Sequence, residues 1–368
     1  MSANIVKEPL MHIVKRDEMP LWRAMMIRVI AVLCSLVVCA IVIFGLTGMN
    51  PLEVYGGIWN GALGTNRRMW VTFRDAAILL CVSLAITPAF KMRFWNIGAE
   101  GQVLAGALGT AAILIYGKDL PAVLLYTLAP MAGVAMGVLW GVIPAFFKAH
   151  WNTNETLFTL MLNYIAMQLV TFCIVFWENP KGSNHVGLIN KETEAGWLPA
   201  IGGNIYILPI VVVLVLTVLL YVYMKNSKQG FEIAVVGESE NTARYAGINV
   251  KKVIIRTMAI SGGIAGIAGY LLVAGSGHTI STGVAGGRGF TAIVVAWLGK
   301  LNPFAMVAVA FLLVFIERGS IQIATQFNLN ENASEILTGI ILFFVLGCEF
   351  FINYRVETRG KHEEGVKA

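Results

Sequence analysis

Apolar runs of about 20 residues recur along nearly the whole of this 368-residue chain, separated by short polar stretches. That pattern leaves few folds open. Hydrocarbon offers no water to backbone N–H and C=O groups, so a chain crosses a bilayer only as helices or as a closed barrel. Barrel strands alternate in polarity over about 10 residues, whereas the runs here are continuous. Composition agrees: 57% of residues are hydrophobic, 13% are charged, and the mean hydropathy is +0.73. The expected fold is an all-α polytopic membrane protein, in contact with membrane lipid along most of its length.

The 27 basic and 21 acidic residues leave a net charge of +6, concentrated in loops and tails. Charge so placed orients a protein in a membrane and offers no basic face to nucleic acid, so no nucleic-acid partner is expected. Cys34, Cys39, Cys81, Cys173 and Cys348 all lie in apolar segments without a CxxC spacing, and read as small buried hydrophobes. The five histidines are scattered, so no metal site is expected. Walker A, nucleophile-elbow and HExxH sequences are missing, which excludes a recognisable ATPase or hydrolase. Energy for any transport must come from a partner or an ion gradient. The first apolar run follows a charged leader and is long enough to span, unlike a removable signal peptide.

Taken in order, residues 1–23 form a polar leader with Lys7, Lys15, Arg16 and Arg23, which the positive-inside rule puts in the cytoplasm. A transmembrane domain is expected over 24–352. Its spans are Ala24–Thr47, Asp75–Phe90, the Phe94 stretch through Tyr116, Ala122–Phe147 with kinks at Pro130 and Pro144, Thr156–Trp177 and Ile205–Met224. Between the first two lies an outer loop, Gly48–Arg74, whose Arg67 and Arg68 run against the charge rule. Residues 178–204 are too polar to span and form a second outer loop. Residues 225–252 carry Lys225, Lys228, Arg244, Lys251 and Lys252 and form an inner loop.

Val253–Gly275 follows as a span, with Gly262, Gly263, Gly266 and Gly269 suited to close helix approach. His278–Lys300 then combines a glycine-rich break with a helix too short to span alone. Pro303–Ile316 and Ser334–Ile352 complete the set, and the tail 353–368 carries Arg355, Arg359, Lys361 and Lys367. Counting the glycine-broken piece as a crossing gives about ten transmembrane helices with both termini cytoplasmic.

The polar residues inside the apolar runs are the candidate functional groups. Phe94–Gly106 carries Asn96, Glu100 and Gln102 among glycines. A carboxylate at bilayer depth costs about 2–3 kcal/mol, which makes it a functional-site candidate by default. Helical spacing puts Asn96 and Glu100 on one face, with Gly98, Gly101, Ala105 and Gly109 roughly opposite as a packing stripe. A transport role and a structural role near the inner interface fit this pattern equally. Arg288 and Phe290 follow the glycine-rich break, and irregular backbone at membrane depth is tolerated only where it is buried or lines a cavity. Broken helices in corresponding halves point to a substrate site in transporters, and here the Asn96 and Phe290 helices would be inverted counterparts. In the inner loop, Ser239 is placed to cap a short helix over Glu240–Ala246, with Gly247 as its stop.

Three of these segments carry a family resemblance. Phe94-Trp-Asn-Ile-Gly-Ala-Glu-Gly-Gln102 resembles the FNIGAEGQ signature of permease subunits of bacterial ABC importers for nucleosides, with Trp95 inserted. That group also serves ribose and other simple sugars. Val236–Asn249 is similar to the group's GENPxAARYAGI segment, with Ser239, Glu240 and Asn241 in the Asn-Pro region. Gly289–Pro303 resembles GxGFxAIAVALLGxxxP. The three occur in the family's order.

The resemblance implies a multi-pass permease in the cytoplasmic membrane of a bacterium, working by alternating access. It implies a separate ATP-binding subunit that holds the ATP, this chain carrying no cofactor, and an extracytoplasmic substrate-binding protein meeting loops such as 178–204. The long leader and the variant of the first signature are similar to the longer of two paired permeases, which implies a heterodimer. Glu238, Ser239, Glu240, Ala243, Arg244, Tyr245, Ala246 and Gly247 then correspond to the coupling helix. Asn96, Glu100, Gln102, Arg288 and Phe290 are the candidates along the substrate pathway. A sugar permease is the alternative within the class. A gradient-driven transporter is the alternative outside it, with only Glu100, Arg288 and the Glu317–Arg318 pair to couple ions. No catalytic constellation favours an intramembrane enzyme.

Overall fold

The computed structural model describes residues 11–16, 19–48, 50–326 and 331–358. Lys7 of the leader and Arg359, Lys361 and Lys367 of the tail lie outside them. In chain order the elements are β1 (Met11–Lys15), α1 (Leu21–Thr47), α2 (Pro51–Leu63), α3 (Asn66–Lys91), α4 (Ala99–Tyr116), α5 (Ala122–Trp151) and α6 (Glu155–Trp177). Then come α7 (Ile207–Asn226), α8 (Lys228–Glu238), α9 (Glu240–Tyr245) and α10 (Val250–Leu272), which runs on as a π-helical turn over Val273–Gly277. Last are α11 (Arg288–Leu298), α12 (Pro303–Gln326), α13 (Glu331–Asn353) and β2 (Tyr354–Thr358). Among the described residues, eight helices are long and apolar enough to cross a bilayer. Arg288–Leu298 and the Gly339–Asn353 part of α13 are two shorter apolar helices. Together they make the ten that hydropathy leads one to expect.

Helix starts follow local chemistry. Side chains of Thr65, Asn154, Ser227, Ser239 and Asn249 each accept an amide from the first turn of α3, α6, α8, α9 and α10 respectively. Each bond removes one of the donors that a helix N-terminus otherwise leaves unpaired.

The chain divides into two compact units. Leu63–Phe315 forms the larger. Its centre is α10, buried along almost its whole length and packed on α3, α4 and α5. From Thr257 onward it carries no charged residue, and a helix without a polar face belongs in such a position. Gly262 and Gly266 of α10 face Gly137 and Gly133 of α5 so closely that a Cβ on either α10 residue would run into the partner backbone. Lipid removes most of the hydrophobic drive for helix association, so close backbone packing of this kind must hold the pair.

The unit has two dissimilar ends. At one, 178–204 forms an irregular loop pinned to the end of α10: Leu198 N–H donates to the Ala274 carbonyl at 2.9 Å, and Ile189 N–H to the His278 carbonyl at 2.7 Å. Trp197 stacks on His278 at 3.7 Å. At the other end, α8 and α9 pack through Ile233, Val236 and Ala243 onto Met92, Phe94, Val253 and Ile254.

The smaller unit combines 1–62 with 316–368. Here α1 packs on α13 through Ala31, Cys348 and Ile352, and Arg28 pairs with Glu349 at 2.6 Å. β1 and β2 pair antiparallel from Met11↔Thr358 to Lys15↔Tyr354. The pairing brings the segments before α1 and after α13 together.

Several expected boundaries move. The loop expected over Gly48–Arg74 contains α2 and the first turns of α3, so Arg67 and Arg68 sit on a helix. Within the smaller unit α2 lies against α12, with Ile58 touching Gly319 and Gly61 touching Gln322. The ninth span runs on from Ile316 to Gln326, and the inner loop carries two helices, α8 and α9. Asn96 is not on a helix: α4 starts at Ala99, so the face it was expected to share with Glu100 does not exist. The reason is a backbone break between α3 and α4, where the side chain of Asn96 serves its own main chain.

Candidate functional site

Residues 93–98 pass from α3 to α4 with no i→i−4 amide bond, only turn contacts such as Asn96 N–H to the Phe94 carbonyl at 2.9 Å. At bilayer depth each unpaired backbone group is costly, and side chains from three helices serve this stretch. Asn96 Oδ1 accepts the Gly98 amide at 3.1 Å and Gln102 Nε2 at 3.2 Å. Its Nδ2 donates to Gln102 Oε1 at 3.3 Å and to Ser261 Oγ on α10 at 3.1 Å. From α6, Asn163 accepts the Gly101 amide at 2.8 Å and donates to the Ile97 carbonyl at 2.9 Å, while Thr159 accepts the Ile97 amide at 3.2 Å. Asn96, Gln102, Ser261, Asn163 and Thr159 are all buried. The cluster is a satisfied polar network of the kind that fixes one backbone path.

Glu100 performs a different task. Its Oε1 accepts the Gly287 amide at 2.8 Å and its Oε2 the Gly289 amide at 2.6 Å. Gly287 is the N-cap of α11, with φ 72°, and α11 has no side-chain cap of its own. A carboxylate from α4 therefore caps α11. Being in the first turn of α4, it faces the positive ends of two helix dipoles at once. The close approach needs glycine at 289, because a Cβ there would overlap the backbone of Glu100.

The two helices diverge from this point. α4 runs to Leu114, whose carbonyl accepts Asn190 Nδ2 of the irregular loop at 2.9 Å. α11 runs the other way to Trp297, which stacks on Trp95 at 5.9 Å beside Phe90. Residues 278–298 thus pass from the irregular-loop end to the end carrying α8 and α9. That path is a crossing and not a hairpin returning to its own side.

Arg288 belongs to an ionic group near the same place. Asp75 of α3, 2% exposed, pairs with Arg74 at 2.9 Å and Arg288 at 3.6 Å. Arg74 also donates to Ser276 Oγ at 2.5 Å. Buried charges persist only when paired, and here they tie α3 to the ends of α10 and α11. Phe290 stands apart from both networks, with its ring exposed.

Asp75, Arg74, Asn163, Thr159 and Ser261 were not among the sequence candidates. Asp75 and Arg74 read as a span boundary, and the other three as isolated polar residues in apolar runs. An amide within an apolar run, as at Asn163, is the signal that points inward.

The coupling candidates occupy the opposite kind of environment. Tyr245 is 93% exposed, and Glu238, Glu240, Arg244, Ala246 and Gly247 are exposed too. Ser239 Oγ accepts the Thr242 amide at 3.2 Å, and Ala243 is buried, fastening α9 to the body. Glu240 and Arg244 pair at 3.4 Å on the surface, which contributes little to stability. Beside α9 lies a cavity of about 200 Å³, bordered by Arg93, Lys148, Glu155, Glu238 and Glu240.

Residues 70–346 match the family described as branched-chain amino acid transport system / permease component. The chain belongs to this permease family. A guanosine ABC transporter permease of Bacillus subtilis is 30% identical over 87% of this chain and 92% of its own length. A nucleoside ABC transporter permease of Lactococcus lactis is 26% identical over 88% and 91%. A glucose ABC transporter permease of the archaeon Haloferax volcanii is 29% identical over 93% and 92%. As an ABC permease the protein is a multi-pass membrane transport component, and the family implies an ATP-binding subunit and a substrate-binding protein as partners. The matched segment includes both the Glu100 junction and the α8–α9 surface.

Proposed function

We propose that this permease is a subunit of an ABC importer that moves nucleosides across the cytoplasmic membrane of a bacterium by alternating access. The two relatives that handle guanosine and nucleosides, aligned over nearly nine-tenths of the chain, carry the substrate assignment. ATP binds to the partner subunit, and this chain holds no cofactor. The termini are cytoplasmic, and so is the loop over 225–252. The pairing of β1 with β2 and the basic residues of 225–252 support that orientation. The exposed ridge from Glu238 to Gly247 seats in the ATP-binding subunit, with Ala243 as its anchor in the body. A second, homologous permease completes a heterodimer, and 178–204 meets the substrate-binding protein. Asn96, Gln102, Glu100 and Arg288 hold the two backbone breaks in place beside the pathway, and Phe290 reaches into it.

A second reading, a simple-sugar permease, is favoured by the glucose-transporter relative. Reconstitution separates the two. The permeases, ATP-binding subunit and binding protein in proteoliposomes should accumulate labelled guanosine with ATP, unlabelled nucleosides should compete, and glucose or ribose should not. Uptake without the ATP-binding subunit would reject the importer reading. Replacing Arg244, Tyr245 and Ala246 by glycines should uncouple ATP hydrolysis from uptake while the membrane core stays folded. Unchanged transport would reject the docking role.

A further inference from the structure

The glycine-rich segment ahead of α11 is exposed where lipid cannot cover it. Thr282, Gly283, Gly286 and Gly287 are exposed. The amides of Thr282, Gly283 and Gly286 find no acceptor among the described residues. Its Gly286–Gly287 end is deep. Gly287 touches Glu100, and α4 runs from there to Tyr116 over about 24 Å at 1.5 Å per residue. A bare amide at that depth, as at Gly286, costs several kcal/mol in hydrocarbon, so this surface meets water.

The exposed face of α11 continues that surface. Phe290 and Trp297 are exposed and Val294 is half-buried, at the i, i+4, i+7 spacing of a single helix face. At its far end Trp297, 51% exposed, and Trp95, 47% exposed, stack with ring planes 29° apart. Buried Phe90 stands behind both, at 6.1 and 5.7 Å. A tryptophan pair near a helix end otherwise fits an interfacial belt. This pair lies on the stripe that begins with solvent-requiring amides, and a belt would face lipid.

We infer that the stripe from Gly286 through Phe290 to Trp297, joined by Trp95, is the wall of a water-filled passage, and that the Trp95–Trp297 pair is a subsite for the planar ring of the solute. Its ligand class is a neutral aromatic heterocycle carried on a sugar. Stacking on an aromatic face accepts any base, because every base has a π-face. The pair therefore selects nucleosides over free sugars without choosing among bases. Specificity of that kind matches a permease fed by a separate binding protein. The inference rests on the nucleoside reading above.

The test uses the complete transporter in proteoliposomes, with 8-azidoguanosine as photoprobe and labelled guanosine for flux. Irradiation should attach the probe to peptides containing Trp95 or Trp297, and excess guanosine but not ribose should chase it. Trp297→Ala should lower ATP-dependent guanosine flux roughly tenfold or more at saturating binding protein, with hydrolysis by the ATP-binding subunit retained. Trp297→Phe, which keeps a ring, should stay within about twofold. Gly283→Cys, at a position with open space around it, should react with a membrane-impermeant thiol reagent in the assembled complex. Labelling elsewhere, unchanged flux in Trp297→Ala, or an unreactive Cys at 283 with and without ATP would each overturn the inference while leaving the nucleoside reading intact. A wild-type transporter that carries no guanosine would instead defeat that reading, and this inference with it.

Discussion

The carboxylate of Glu100 holds the amide of Gly289 at 2.6 Å across 189 positions of sequence, so that one acid in the first turn of α4 caps α11. Helix caps are normally local, because the chain just outside the helix supplies them. Here the cap comes from another helix, and the start of α11 depends on α4 being in place.

Glu100→Ala should therefore act on α11 more than on α4. Loss of both charge-assisted bonds should cost roughly 2–3 kcal/mol, with Glu100→Gln intermediate. Hydrogen exchange is the measurement: protection over 284–292 should fall in the Ala variant while 103–113 keeps most of its own. Equal loss in both regions would mean that the acid serves α4 instead.

The Asn96–Gln102 amide pair predicts a coupled loss. Removing either side chain leaves the other buried with unmet hydrogen bonds, at about 1–3 kcal/mol, while removing both spares that penalty. A double-mutant cycle of Asn96→Ala and Gln102→Ala, followed by thermal unfolding in detergent, should give a coupling of about 1 kcal/mol. Additive effects would show that Ser261 and the backbone, not the partner amide, satisfy each group.

At the α10–α5 contact, Gly262→Leu should be among the most damaging single changes in the larger unit. Overpacking typically costs 1–3 kcal/mol or about that, and here the obstruction is the main chain of Gly137, which cannot rotate away. Yield of folded protein by size exclusion should drop sharply. Gly283→Leu, in open space, should leave it unchanged.

The irregular loop should loosen in acid. Burial lowers the pKa of His278 below the usual histidine range, and Glu194 opposes this in part. The unfolded loop takes up a proton at about pH 6.5, whereas the docked ring resists it. The contribution of His278 is thus complete above that pH and lost as pH falls toward the folded pKa. Hydrogen exchange over 187–199 should accelerate between pH 7.5 and 5.5, and His278→Phe, which keeps the stack on Trp197, should flatten the response.

By itself the sequence determined the class of fold, most of the spans to within a few residues, and the start of α9. These depend on local quantities: an apolar run long enough to cross, a Ser or Asn positioned to accept a first-turn amide, charges that cannot enter lipid. Ser239 and Gly247 bracketed α9 for this reason. The sequence also singled out Asn96, Glu100, Gln102 and Arg288, since polar groups in an apolar run are conspicuous. It could not say what they touch. Helical periodicity put Asn96 and Glu100 on one face, yet the chain breaks there, because Thr159 and Asn163 on α6 offer the backbone an alternative set of bonds. Only the tertiary structure decided that Glu100 caps a helix far along the chain, that Asp75 joins Arg74 and Arg288, and that 278–298 crosses. Each depends on groups distant in sequence meeting in space, as Glu100 meets Gly289 and Asp75 meets Arg288, and no local pattern encodes that meeting.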